Sequence, residues 1–206
     1  MKTLLANLVR KIEEFAGSLE FASELTRAKK QFFAPVGAPG ENGANAEVEL
    51  SNFIEWFVFN WSLPDGLNVW AKYLRFQGTE HTPEELDLLK QMDHQIYSLF
   101  LVKKDKPGKE AVADIVTGKK YQPVHELSAG LHRGDYFVGR LMLINDGYFF
   151  TEALFFIPKR LEKIFKVSAK MVRKSKLSSD VFVEELRALA MKSFRYPRMK
   201  LEELFK

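Results

Sequence analysis

Apolar side chains recur at Leu5, Leu8, Ile12, Phe15, Leu19 and Ala22 in alternating steps of three and four. This spacing predicts one long amphipathic helix over residues 3–33. The same stripe would serve as a short coiled-coil seam and so as a homodimer contact, but Gly17 inside it favours packing on the chain's own core. Residues 34–46 collect Gly, Pro and Asn with few apolar side chains and read as a flexible loop. An aromatic run follows, with Phe53, Trp56, Phe57, Phe59 and Trp61 ahead of a Pro64-Asp65-Gly66 turn. Rings this dense must be covered from more than one side, because each buries ~150–250 Å². Ser51 or Asn52 is the expected cap of that helix, with Glu49 and Glu55 near its positive end.

Leu67, Trp70, Tyr73 and Leu74 share one face of a further helix that Gly78 should stop. Thr82-Pro83-Glu84-Glu85 is a capping-box start, and Leu86, Leu89, Met92 and Ile96 carry the stripe onward. At Tyr97 the period changes to short β-branched or aromatic runs separated by Pro107-Gly108, Thr117-Gly118, Arg133-Gly134-Asp135 and Asp146-Gly147. These predict four or five antiparallel strands closing into a small β-barrel or bent sheet. Beyond Pro158 the helical period returns: Leu161, Ile164, Phe165, Ser168 and Met171 or Val172 take one face and lysines the other. Ser178-Ser179-Asp180 then caps a helix through Phe182, Leu186, Leu189 and Phe194, which Tyr196-Pro197 breaks. The expected architecture is α+β, with a helical region at 1–96, a β unit at 97–158 and a basic helical segment at 159–206.

Composition adds exclusions. A hydrophobic fraction of 46% with 28% charged residues is that of a folded globular chain. There is no cysteine, which removes disulfides, thiolate zinc sites and cysteine nucleophiles and makes a reducing cytoplasm the expected compartment. The apolar run before Arg10-Lys11 is too short for a secretion signal, and nothing approaches a membrane span of ~20 apolar residues. Net charge is +4, yet residues 159–206 hold fourteen Lys/Arg against six Asp/Glu, a local +8. An anionic partner, nucleic acid or acidic protein, would be drawn there, with Lys159, Lys163, Lys166, Lys170, Arg173 and Lys174 as the candidate contacts. Nearby Tyr121, Tyr136, Phe137 and Tyr148 could stack bases, but their spacing suits a core.

Reaction chemistry is sparse. His125-Glu126, His132 and Asp135 lie close in sequence, but the histidines are seven apart rather than the four a metal-binding helix needs, so no metal is expected. Glu126-Leu127-Ser128-Ala129-Gly130 and Gly118-Lys119-Lys120 read as turns, and no G-x-S-x-G elbow exists. No catalytic residue and no cofactor is assigned. The alternative is a small-molecule or hydrolytic site where helices and β unit meet, gathering Glu55, Asp114, His125, Asp135 and Arg140. Glu55, polar within an apolar run, would need a cation if buried, and Arg140 is the candidate.

Glu55-Trp56, the Pro64-Asp65-Gly66 turn, Asp114 with Thr117-Gly118 and Tyr121, and Gly134-Asp135 with Arg140 together resemble a pattern of uncharacterised bacterial proteins that often carry a carboxy-terminal SEC-C zinc motif. The resemblance covers roughly residues 50–157. Asn60 stands where that group usually has an acid, and without cysteine the zinc tail has no counterpart. It implies a helical region joined to a small β unit, and no activity. The expected function is a non-catalytic binding or scaffold protein.

Overall fold

Gly17 ends the first stripe. In the computed structural model of the chain, α1 (Lys2–Ala16) stops there and Ser18 turns extended, at φ −67° and ψ 159°. A single 3-10 turn at Leu19–Phe21 leads into α2 (Ala22–Phe33). The register therefore shifts: Leu8 and Ile12 are buried, but Leu19 is 94% exposed, and Phe21, Ala28 and Phe32 take over the inner face. The single long helix expected over 3–33 is two. Leu8 and Ile12, central to the apolar stripe, are buried in this core.

The structure describes residues 2–39, 45–77, 80–125, 130–175 and 179–204. Among them are seven α-helices and a six-stranded antiparallel sheet, an α+β protein. No helix among the described residues is long and apolar enough to cross a membrane. The central part of the expected 34–46 loop, Gly78, residues 126–129 of the expected turn and Ser178 lie outside the described residues. The chain divides into two units, Met1–Asp93 and His94–Lys206.

The first unit is built on rings. The aromatic run from Phe53 to Phe59 lies on α3 (Ala46–Phe59), which starts well before Ser51 and Asn52, and Trp61 follows just beyond its end. Neither residue caps it: Ser51 is exposed mid-helix, and Asn52 Nδ2 donates back to the Val48 carbonyl at 2.9 Å. Phe53 and Phe57 are fully enclosed. Phe32 meets Phe53 and Trp56 at centroid distances of 5.4 and 5.3 Å, and Phe21 meets Phe57 at 6.5 Å. Phe15 continues the chain of rings to Tyr73 on α4 (Val69–Gln77), and Phe59 packs on Trp70 at 5.4 Å. Two of the three buried indoles donate to carboxylates, Trp61 Nε1 to Glu24 at 3.0 Å and Trp70 Nε1 to Asp93 at 3.1 Å.

α5 (Pro83–Met92) begins with the expected capping box: Glu85 N donates to Thr82 Oγ1, and Thr82 N donates to Glu85 Oε2 at 2.9 Å. It ends at Met92, and Ile96 already belongs to a strand.

In the second unit, β1 (Gln95–Lys104), β2 (Ala111–Asp114), β3 (Lys120–Tyr121), β4 (Tyr136–Ile144) and β5 (Gly147–Phe150) lie in the order β3-β2-β1-β4-β5. β6 (Phe155–Phe156) pairs with the first half of β4, on Phe137 and Val138, while β5 pairs with the second half. Asn145 and Asp146, at φ 46° and 63°, form the two-residue turn that Asp146-Gly147 announced.

Of the two forms expected, barrel or bent sheet, the sheet does not close into the barrel. Its outer strands approach through one parallel bridge, Val124 with Tyr148, and the two-residue β3 offers too few backbone groups for a continuous seam. Phe100, Val102, Phe137, Leu141 and Leu154 fill the hollow of the sheet. α6 (Glu162–Ser175) and α7 (Ser179–Arg195) follow, with Phe165 edge-on to Tyr136 at 4.7 Å.

All three tryptophans, Trp56, Trp61 and Trp70, lie in the first unit, so their fluorescence reports its unfolding alone. Phe57→Ala should lower the stability read this way in urea by about 3–5 kcal/mol. A loss below about 1 kcal/mol would mean the ring network does not hold this unit together.

Candidate functional site

The basic segment begins at Pro158, whose φ of −56° starts a 3-10 turn at Lys159–Leu161 that runs into α6. Leu161, Phe165 and Ala169 are buried and Ile164 and Ser168 half-buried, while Lys163, Lys166 and Val167 between them face outward. The structure then separates the basic residues into two groups.

The arginines are engaged by backbone carbonyls. Arg160 Nε donates to Ser193 Oγ at 2.7 Å, and its two terminal nitrogens reach the carbonyls of Ser193, Tyr196, Pro197 and Met199 at 2.5–3.1 Å. One guanidinium thus satisfies the carbonyls that the end of α7 leaves open. Arg173 Nε donates to the Val116 carbonyl at 2.9 Å, and its Nη2 to that of Ile115. The contact depends on Gly118, at φ +81°, where a Cβ would lie 2.9 Å from Arg173 Nη1. Arg173, expected among the anion contacts, is therefore committed to the β2–β3 turn.

The lysines stay outside. Lys166 pairs with Glu162 and sits 5.2 Å from the centroid of the Tyr136 ring. The Glu162 hydrogen bond is the main cause of its raised pKa. Lys159, Lys163, Lys170 and Lys174 are exposed and, among the described residues, have no carboxylate or hydrogen-bond partner. Lys163, Lys170 and Lys174 recur at steps of seven and four on one line of the helix. Val167 and Met171 stand between them, 54% and 57% exposed. Of Met171 and Val172, the two alternatives for the inner face, Val172 is half-buried and Met171 is exposed.

The residues of the alternative site divide between the two units. Glu55 is buried on α3 in the first unit, and the other four are in the second. Asp114, fully buried, accepts from Ser98 Oγ at 2.8 Å, from Val116 N and Thr117 N at 2.8 and 3.1 Å, and from Thr117 Oγ1 at 2.6 Å. The D-x-x-T-G motif is thus a turn whose carboxylate replaces the missing backbone acceptors. Burial, and then the Asp114 charge, raises the pKa of Tyr121 beside it.

Asp135 closes a different turn, accepting from His132 N at 2.8 Å. Asp105 holds the same loop from the other side, and the Arg133 backbone N–H lowers its pKa. His125 is exposed and stacked on Phe149 at 4.9 Å. Arg140 is buried, donates to Gln95, and lies 4.9 Å from the centroid of the Tyr97 ring opposite it.

The base-stacking aromatics are likewise core: Tyr121, Tyr136 and Phe137 are buried, and Tyr148 packs edge-on to Tyr121 at 5.1 Å. Among the described residues, no group of three or more His, Asp or Glu is placed to hold a metal ion.

One constellation was missed. His81, whose side chain is 2% exposed, places Nε2 2.8 Å from the Tyr73 hydroxyl and Nδ1 3.4 Å from Glu85 Oε2, while Lys11 Nζ reaches Glu85 Oε1 at 2.9 Å. The i,i+4 spacing of His81 and Glu85 beside the capping box was the available signal. The Thr82 backbone N–H, then Lys11, bring Glu85 down to about 2, and burial pushes Tyr73 up to about 12. The chain ties α1, α4 and α5 together.

Comparisons with protein-family models, curated proteins and solved structures find no match for this chain.

Two outcomes follow from these contacts. Asp114→Ala strands four donors and should lower stability by about 3 kcal/mol, read by far-UV circular dichroism in urea; a change under about 1 kcal/mol would refute the turn's role. Because the Glu85 pKa is depressed on folding, its contribution is present above the unfolded value of 4.5 and is lost as pH falls toward about 2. Glu85→Gln should flatten the pH dependence of tryptophan-detected stability in that window; an unchanged slope would show that Glu85 is not its source.

Proposed function

We propose that this chain is a non-catalytic binding protein that engages an anionic partner through the outer face of α6. The reading is supported above all by Lys163, Lys170 and Lys174, three exposed ammonium groups in one line without an acidic partner among the described residues. Lysines that only keep a helix solvated are commonly laced to carboxylates at i,i+4, as Lys166 is to Glu162. The local charge is concentrated as well, with eight Lys/Arg against Glu162 alone between residues 159 and 176. Such a face attracts polyanions at long range and loses that attraction as salt screens it.

The likeness of the Glu55-Trp56, Asp114–Gly118 and Gly134–Arg140 motifs to the bacterial SEC-C-associated group supports kinship on motifs alone and brings no activity. A cysteine-free chain suits a reducing compartment, and the cytoplasm is the proposed location.

The test is binding to fluorescent polyglutamate and to a short DNA duplex at low and at physiological salt. At least one polyanion should bind at low salt and weaken as salt rises. Lys163→Glu, Lys170→Glu and Lys174→Glu combined should reduce that binding by about tenfold or more with the thermal transition unchanged. No binding at low salt, or full binding by the triple variant, would overturn the assignment.

A further inference from the structure

We infer that the partner of α6 is an acidic amphipathic helix of another protein rather than a nucleic acid, an inference that rests on the binding role proposed above for the same face. What decides between them lies among the lysines. Lys163, Val167, Lys170 and Lys174 follow one another at steps of four, three and four, the spacing of a helix-contact stripe, and Met171 stands one turn beyond Val167. The stripe runs ~16 Å along the helix, enough for about three turns of a partner helix. Val167 and Met171, 54% and 57% exposed, put apolar surface in the middle of the charge.

A phosphate backbone offers nothing to cover these two side chains. An amphipathic helix does, since its apolar positions can close over Val167 and Met171 while flanking carboxylates meet the lysines. Met adapts readily to a partner's shape.

The residues best suited to nucleic acid are elsewhere engaged. Arg160 and Arg173, the two guanidinium forks between residues 159 and 176, bond to backbone carbonyls, leaving ammonium point charges along α6. α6 carries no Asn or Gln to read base edges, and its one aromatic residue, Phe165, is buried. A lipid surface fits less well, because the broad apolar side of α6, with Leu161, Phe165 and Ala169, is already turned into the protein.

The experiment uses the full chain and three fluorescent probes at about 50 mM and about 200 mM salt. One is a helical peptide with leucines on a single stripe flanked by glutamates. The second has the same composition with the leucines scattered around the helix, and the third is a short DNA duplex. The striped peptide should bind about tenfold more tightly than the scattered one and than the duplex. Val167→Ser with Met171→Ser should erase that preference while leaving the weaker binding of the scattered peptide in place. Both residues are exposed, so the double variant keeps its fold, which the thermal transition verifies.

Equal binding of the two peptides, a preference that survives the double serine variant, or tightest binding of the duplex would overturn the acidic-helix partner and leave the anion-binding role standing. Binding of no probe at low salt would remove both.

Discussion

The hydrogen bonding of β4 is the constraint on which the second unit depends. One nine-residue strand is paired to β1 along one edge and, along the other, to β5 and β6 in succession. Every residue of β4 except Leu143 is buried. A strand enclosed in this way has no freedom of register, because a slip of one residue would exchange its two faces. Tyr136, at its start, is the ring on which Phe165 of α6 rests. The exposed lysines are therefore presented by a helix that is seated on the least movable strand of the unit.

The same logic of enclosure governs the first unit with different material. There the fixed part is a succession of rings from Phe33 through Phe53, Phe57 and Phe21 to Phe15, Tyr73 and Trp70. Rings constrain one another by edge and face geometry as well as by area, so their arrangement is more specific than an aliphatic core of equal volume. The polar chain from Lys11 to Tyr73 runs beside them and fixes the relative positions of three helices by direction, which ring packing alone leaves adjustable.

Local chemistry was the legible part of this sequence. Thr82-Pro83-Glu84-Glu85 and Asp146-Gly147 each specify a backbone geometry within a few residues; the capping box forms as read, and the hairpin forms with its turn one residue earlier, at Asn145-Asp146. The long first helix failed because the three-four spacing of apolar residues continues across Gly17-Ser18 by coincidence, and only the exposure of Leu19 reveals the change of register. The barrel failed for the opposite reason, since closure depends on pairing between distant strands, which no local pattern encodes.

The basic segment was legible as charge but not as orientation. Arginine and lysine count equally in a net charge, whereas the structure assigns them different work, the arginines to carbonyls and the lysines to the surface. Asp114, a plausible reactive group by type, was a turn residue all along, and the Ser98 hydroxyl that completes its shell lies sixteen residues away.

Arg160 carries a consequence that reaches beyond its own contacts. It stands at the very start of the lysine-bearing helix, yet its guanidinium is filled by oxygens from residues 193–199. The aim of the charged face is thereby coupled to a stretch of backbone more than thirty residues downstream. Removing that stretch would leave a cation facing no acceptor and loosen the first turn of α6, so the binding face and the tail behave as a single mechanical part: whatever tugs on one is felt at the other.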